Sequence, residues 1–121
     1  MNNPVELAQR YLAVWNEADG ANRRTLIEAA FSEDATYLDP LMHGEGHDGI
    51  DAMIAAAQSQ FPDHRFTLAG DPDGHHEVIR FSWTLGLPGA TPMARGTDVA
   101  SVAGGRFDKV VGFLDTARFA T

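Results

Sequence analysis

A chain of 121 residues, 44% hydrophobic and 21% charged, fits one globular domain spanning residues 1–121 and leaves no room for a second. It has no cysteine, which excludes disulfides, thiolate metal sites and cysteine nucleophiles, and its formal net charge of −8 sets it against nucleic acid and anionic membranes as partners. The partner to expect is a small molecule held through apolar area; with no run of membrane-spanning length and no apolar signal core in MNNPVELAQR, the expected location is the cytoplasm.

Pro4 suits the first turn of a helix expected over residues 4–18, capped by Asn2 or Asn3, with Ala8, Tyr11, Leu12 and Trp15 on one apolar stripe. A Tyr11 hydroxyl on that stripe needs an interior partner, because burying it alone is costly. Asp19 and Gly20 end this helix, and residues 21–30 read as a second one that buries Leu26, Ala29 and Ala30. Residues 31–34 read as a turn and 35–39 as a strand that ends on Asp39. Pro40 fixes its own φ and drives Asp39 into an extended conformation, so the carboxylate is held still between Leu38 and Leu41. Two readings of it stand open: an ordinary Asp-Pro turn starter, or a carboxylate aimed into an apolar cavity.

His43 and His47 flank Gly44 and Gly46, which argues against a shared helical face and so against a metal pair. Ile50, Met53, Ile54, Ala57 and Phe61 recur at helical spacing, giving a third helix from about His47 or Asp48 to the stop at Pro62. From His64 onward the period becomes two. Phe66 and Leu68 alternate in one strand, DPDG at residues 71–74 reverses the chain, and Ile79, Phe81, Trp83 and Leu85 alternate in the next. His75 and His76 beside that reversal read as an exposed pair. Strands over residues 93–102 and 106–115 follow, joined by a hairpin at Gly104 and Gly105. Helices first and an antiparallel meander after them define an α+β domain, with helices on one face of a curved sheet.

Strand alternation puts Asp98 on the inner face with Ala94, Gly96, Ala100 and Val102. Without a cation its pKa rises and the protonated acid becomes a hydrogen-bond donor; paired with Arg80 or Arg95 it is a structural bridge instead.

The order of elements, the segment YLDP followed by HGEGHDGI, and the late segment GTDVASVAGGRF resemble the NTF2-like superfamily over residues 5–115. Within it the likeness is to ketosteroid isomerases and SnoaL-like polyketide cyclases. The resemblance implies a cystatin-like cone, three N-terminal helices packed on a strongly curved antiparallel sheet around an apolar cavity, with a homodimer formed through the outer sheet face and no cofactor. It also implies an enzyme that abstracts a proton next to a carbonyl of a steroid-like or polyketide-like substrate. Asp39 would be the general base, and Tyr11 with a neutral Asp98 would donate to the substrate oxygen, roles carried over from ketosteroid isomerase by likeness. Trp15, Met53, Trp83 and Phe113 would form the substrate walls, with His43 at the mouth. Ala94, Gly96 and Gly112 stand where the family carries large apolar groups, which leaves the substrate open. The other reading is a non-catalytic small-molecule-binding module in which Asp39 and Asp98 are structural. Convergence of Asp39, Tyr11 and Asp98 on one cavity favours catalysis, and an arginine on Asp98 favours binding alone.

Overall fold

Three helices and seven strands build residues 3–117, the part described in the computed structural model. In chain order they are α1 (Pro4–Asn16), α2 (Gly20–Ala30), β1 (Phe31–Leu38), β2 (His43–Glu45), α3 (Gly46–Gln60), β3 (Arg65–Leu68), β4 (Asp73–His75), β5 (Val78–Gly86), β6 (Ala94–Ala103) and β7 (Arg106–Ala117). Asn3 caps α1 by accepting from the Glu6 N–H at 3.1 Å, while Asn2 lies outside the described residues. The helix stops at Asn16 rather than near Ala18, because the Asn16 side chain turns to β3. There it donates to the Phe66 carbonyl at 2.9 Å and accepts from the Phe66 N–H at 2.8 Å.

The buried face of α2 is Arg23, Ile27 and Ala30, not the expected stripe of Leu26, Ala29 and Ala30; Ala29 is exposed. Arg23 is buried with partners: its guanidinium donates to Asp51 at 2.7 Å, to the Gln58 side-chain oxygen at 2.9 Å and to the Glu17 carbonyl at 3.1 Å. One cation thus ties the end of α1, α2 and α3 together. Arg23→Met is expected to destabilise the fold by about 2–4 kcal/mol, since the apolar stem is kept but Asp51 and Gln58 lose their partner. Urea unfolding checks this; an unchanged midpoint would show that the network contributes little.

No turn separates α2 from β1. Phe31 is at once the C-cap of the helix, its N–H donating to the Ile27 carbonyl, and the first buried residue of the strand. The sheet runs β2-β1-β7-β6-β5-β3, with β4 beside β5. It is curved and unclosed, and the helices cover its inner face. One expectation is corrected: the sheet is mixed, because β7 returns alongside β1 and pairs with it in parallel, while the other ladders are antiparallel. The DPDG segment is corrected too. It interrupts a strand that continues as β4, both pieces pair with β5, and the reversal falls at His76 and Glu77 instead. His75 and His76 are exposed as expected.

Gly96 has a packing reason. A methyl group there would lie 2.2 Å from the Trp83 ring, so the indole from β5 fills the space that a larger residue on β6 would take. No helix among the described residues is long and apolar enough to cross a membrane.

Candidate active site

The register of the sheet sets three residues in a row. Leu38 pairs with Val111 across the parallel ladder and Asp98 pairs with Gly112 across the next, so Asp39, Gly112 and Asp98 lie side by side across three strands. Gly112 is the opening between them. A methyl group on it would sit 2.8 Å from Asp98 Oδ1, 3.1 Å from Asp39 Cβ and 3.2 Å from the Tyr37 hydroxyl. The missing side chain, a departure from the family's large apolar groups, is therefore the room in which two acids and a phenol meet. Gly112→Ala is expected to cost about 1–3 kcal/mol through overpacking and to push these groups apart. A thermal melt combined with a turnover or ligand-binding assay checks this, and an unaffected site would break the link drawn from Gly112.

Asp39 both starts a turn and lines the cavity. Its Oδ1 accepts from the N–H groups of Leu41 at 2.7 Å and Met42 at 2.8 Å, a turn after Pro40, and the same residue lines the cavity. Its Oδ2 accepts from the Tyr37 hydroxyl at 2.5 Å. Tyr37 was missed in the sequence although a signal existed, since a residue two before Asp39 on a strand shares its face. Burial, reinforced by the charges of Asp98 and Asp39, pushes the Tyr37 phenol well above its ordinary range, so it remains a donor.

Asp98 is 1% exposed. The Tyr11 hydroxyl donates to its Oδ2 at 2.9 Å, while its Oδ1 has no hydrogen-bond partner among the described residues. The bridge to an arginine is not formed: Arg80 pairs with Asp73 at 2.8 Å and Arg95 is exposed. Burial pushes the Asp98 carboxyl up to about 6, with the neighbouring Trp83 indole and the Tyr11 hydroxyl pulling it down and the charges of Asp39 and Asp115 raising it. Tyr11 is wedged by aromatic rings, with centroids of Phe81 at 5.0 Å and Phe107 at 5.2 Å, and burial holds its phenol well above the ordinary range.

When Asp98 is ionised, the pair of Asp98 and Tyr11 holds one hydrogen, which bridges them; when Asp98 is protonated, a second is free to donate outward.

These groups end an apolar cavity of about 790 Å³, a size suited to a small organic molecule. Trp15, Met53 and Trp83 line it, and His43, exposed, stands at its rim. Phe113 does not: it is 54% exposed on the outer face of the sheet. Period two explains the correction, because Gly112 and Phe113 are neighbours on β7 and cannot both face inward. Leu114 takes the inner position and lines the cavity. A bulge follows, with Gly96 opposite Leu114 and Arg95 opposite Thr116. Met42 lines the cavity from the loop after Asp39, where no periodicity could have marked it. Among the described residues no three acidic or histidine side chains are placed to hold a metal ion.

This architecture, three helices on a curved, unclosed mixed sheet, is that of NTF2-like proteins. Within that class the chain belongs to the SnoaL-like domain family, whose model matches residues 8–110. A solved structure from Agrobacterium tumefaciens, named provisionally as an isomerase of the SnoaL-like family, is 54% identical to it. The match covers 93% of this chain and 97% of that one, with a TM-score of 0.89. A Catenulispora acidiphila protein with a ketosteroid isomerase-like fold, solved with trimethylamine, is 16% identical over 91% of this chain and 85% of that one, TM-score 0.74. A provisional polyketide cyclase from Sinorhizobium meliloti is 16% identical over 88% of this chain and 93% of that one, TM-score 0.68. At such identities the last two bear on the fold alone. No curated protein matches the chain.

Proposed function

We propose that this protein is an isomerase-like or cyclase-like enzyme that removes a proton from the carbon next to a carbonyl of a small, largely apolar ketone. The observation that carries the reading is the placement of Asp39 and the unpartnered Oδ1 of Asp98 on either side of bare Gly112, at the polar end of an apolar cavity. Asp39 Oδ2 takes the proton and later returns it. The charge that develops on the carbonyl oxygen is met by the pair of Asp98 and Tyr11 in its doubly protonated state, which has a hydrogen to give.

The test is exchange rather than product. Wild-type protein is incubated in D2O with cyclic enones and β-keto esters, and deuterium at the α-carbon is read by mass spectrometry. Uptake above the buffer rate supports the reading, and none with any member of the panel overturns it.

The rival, a module that holds a ligand without converting it, is favoured by one observation: the oxygens of Asp39 already accept three local hydrogen bonds. Ketones that raise the melting temperature without any exchange would establish it. Under either reading we place a second copy of the chain against the outer sheet face, where Phe113 is 54% exposed and Leu38, which pairs with Val111, is 55% exposed. Light scattering at micromolar concentration is expected to give the mass of a dimer; a monomeric mass removes that proposal and leaves the fold untouched. The charge of −8 keeps nucleic acid and anionic membranes out of the proposed partners, and the proposed setting is the cytoplasm.

A further inference from the structure

Besides Asp98 Oδ1, one other buried side-chain polar atom lacks a hydrogen-bond partner among the described residues: Nε1 of Trp15. Trp15 is 5% exposed and lines the same cavity. It follows Tyr11 by one helical turn, so the two side chains leave α1 on one face, with ring centroids 6.2 Å apart. An indole N–H can only donate, and leaving it buried and unpaired is costly enough that native interiors seldom do so without a use. A phenylalanine would supply most of the packing that Trp15 gives Phe66 and Tyr37, with centroids at 5.3 Å and 5.5 Å, without that penalty.

The two phenols at this end of the cavity are spent. Tyr11 gives its hydrogen to Asp98 and Tyr37 gives its own to Asp39. The Trp15 indole is near enough to the Tyr11 hydroxyl to oppose the upward push of burial on its phenol, but no hydrogen bond of good geometry forms between them, so Nε1 keeps its hydrogen. We propose that Trp15 Nε1–H donates to the carbonyl oxygen of the ligand, taking the part expected of Tyr11 and making Trp15 a polar recognition residue rather than an apolar wall. The inference rests on the reading of the cavity as a ketone site. It adds a donor that never ionises, so ketone recognition through Trp15 holds at pH values where Asp98 has lost its proton.

The chain has two tryptophans, so protein labelled with 15N at the indoles gives two side-chain N–H signals, and Trp15→Phe identifies which is which. The labelled protein is titrated with 1-tetralone and with tetralin, which share a bicyclic frame and differ by the carbonyl. The expected result is a downfield movement of the Trp15 signal with 1-tetralone alone, and in Trp15→Phe a fall of about tenfold in the preference for ketone over hydrocarbon. A Trp15 signal that stays in place while 1-tetralone binds, or that moves equally with both, overturns the proposal, as does failure of 1-tetralone to bind at millimolar concentration. If the variant does not fold, the wild-type titration decides alone. A ketone-specific shift in a protein that exchanges no α-proton supports the Trp15 contact and removes the enzyme. Exchange that persists unaltered in Trp15→Phe, with the wild-type signal unmoved, does the reverse.

Discussion

Asp39→Asn is expected to lower α-proton exchange by about 10²- to 10⁴-fold, the usual worth of a positioned general base, while shifting the melting temperature by only a few degrees. Asparagine keeps a side-chain oxygen for the Leu41 and Met42 amides, so the turn after Pro40 stays capped. Its amide nitrogen then faces the Tyr37 hydroxyl, which can rotate and accept. Only the proton-accepting power is removed. Asp39→Ala, which the sequence alone would suggest as the clean knockout, is a poorer choice: it deletes three hydrogen bonds and with them about 2–4 kcal/mol of support for the loop. Deuterium uptake and a circular-dichroism melt on the same preparation give both readouts. An asparagine variant that keeps most of the exchange would remove Asp39 as the base.

The second large effect is set by pH. The Asp98 carboxyl, pushed up to about 6 mainly by burial, must carry a proton for its pair with Tyr11 to have a hydrogen to spare. Above pH 6, kcat/KM for exchange is therefore expected to fall by about tenfold per pH unit, reaching about 100-fold at pH 8. Asp98→Asn, with a permanent N–H donor, should flatten that limb while keeping part of the activity. Stability follows the same group with a definite sign. The folded value lies above the unfolded 3.8, so the contribution is fully present below about pH 4 and is lost as the pH rises through 6. Near neutral pH the asparagine variant should accordingly match or exceed the wild type in stability, and its melting temperature should change less between pH 4 and pH 7. A profile of wild-type exchange that stays level from pH 5 to pH 8 would take Asp98 out of the donor role.

The parts of this site that sequence revealed are those governed by short periods. Helical spacing put Tyr11 and Trp15 inside, and strand alternation put Asp98 on the same face as Ala94 and Val102, all of them buried. The same rule applied strictly would have found Tyr37 and Leu114 and turned Phe113 outward; Phe113 misled because an apolar ring suggests burial but does not say which way a strand residue points. Arg23 was out of reach. A charged residue on a helix reads as solvated, and what buries it are Asp51 and Gln58 on another helix, a pairing with no local trace. The parallel union of β1 with β7 was hidden for the same reason, since it is decided by where the whole chain returns.

That union has a consequence for the order in which the protein can be assembled. The row of Asp39, Gly112 and Asp98 draws on the first and the last strand of the sheet, so no part of the chain that lacks β7 can bring the two acids together. Everything before it can form locally, the helices within themselves and β5 with β6, but closing the ladder between β1 and β7 must overcome the entropy of a loop that holds most of the chain. On the ribosome, where residues emerge in order, the inner faces of α1 and α3 wait for a strand still to be made. The apolar surface that will line the cavity is for that interval a sticky one. Functional competence therefore arrives in one late step, and changes in β7 that leave every acid and tyrosine in place can still slow maturation and raise the fraction lost to aggregation.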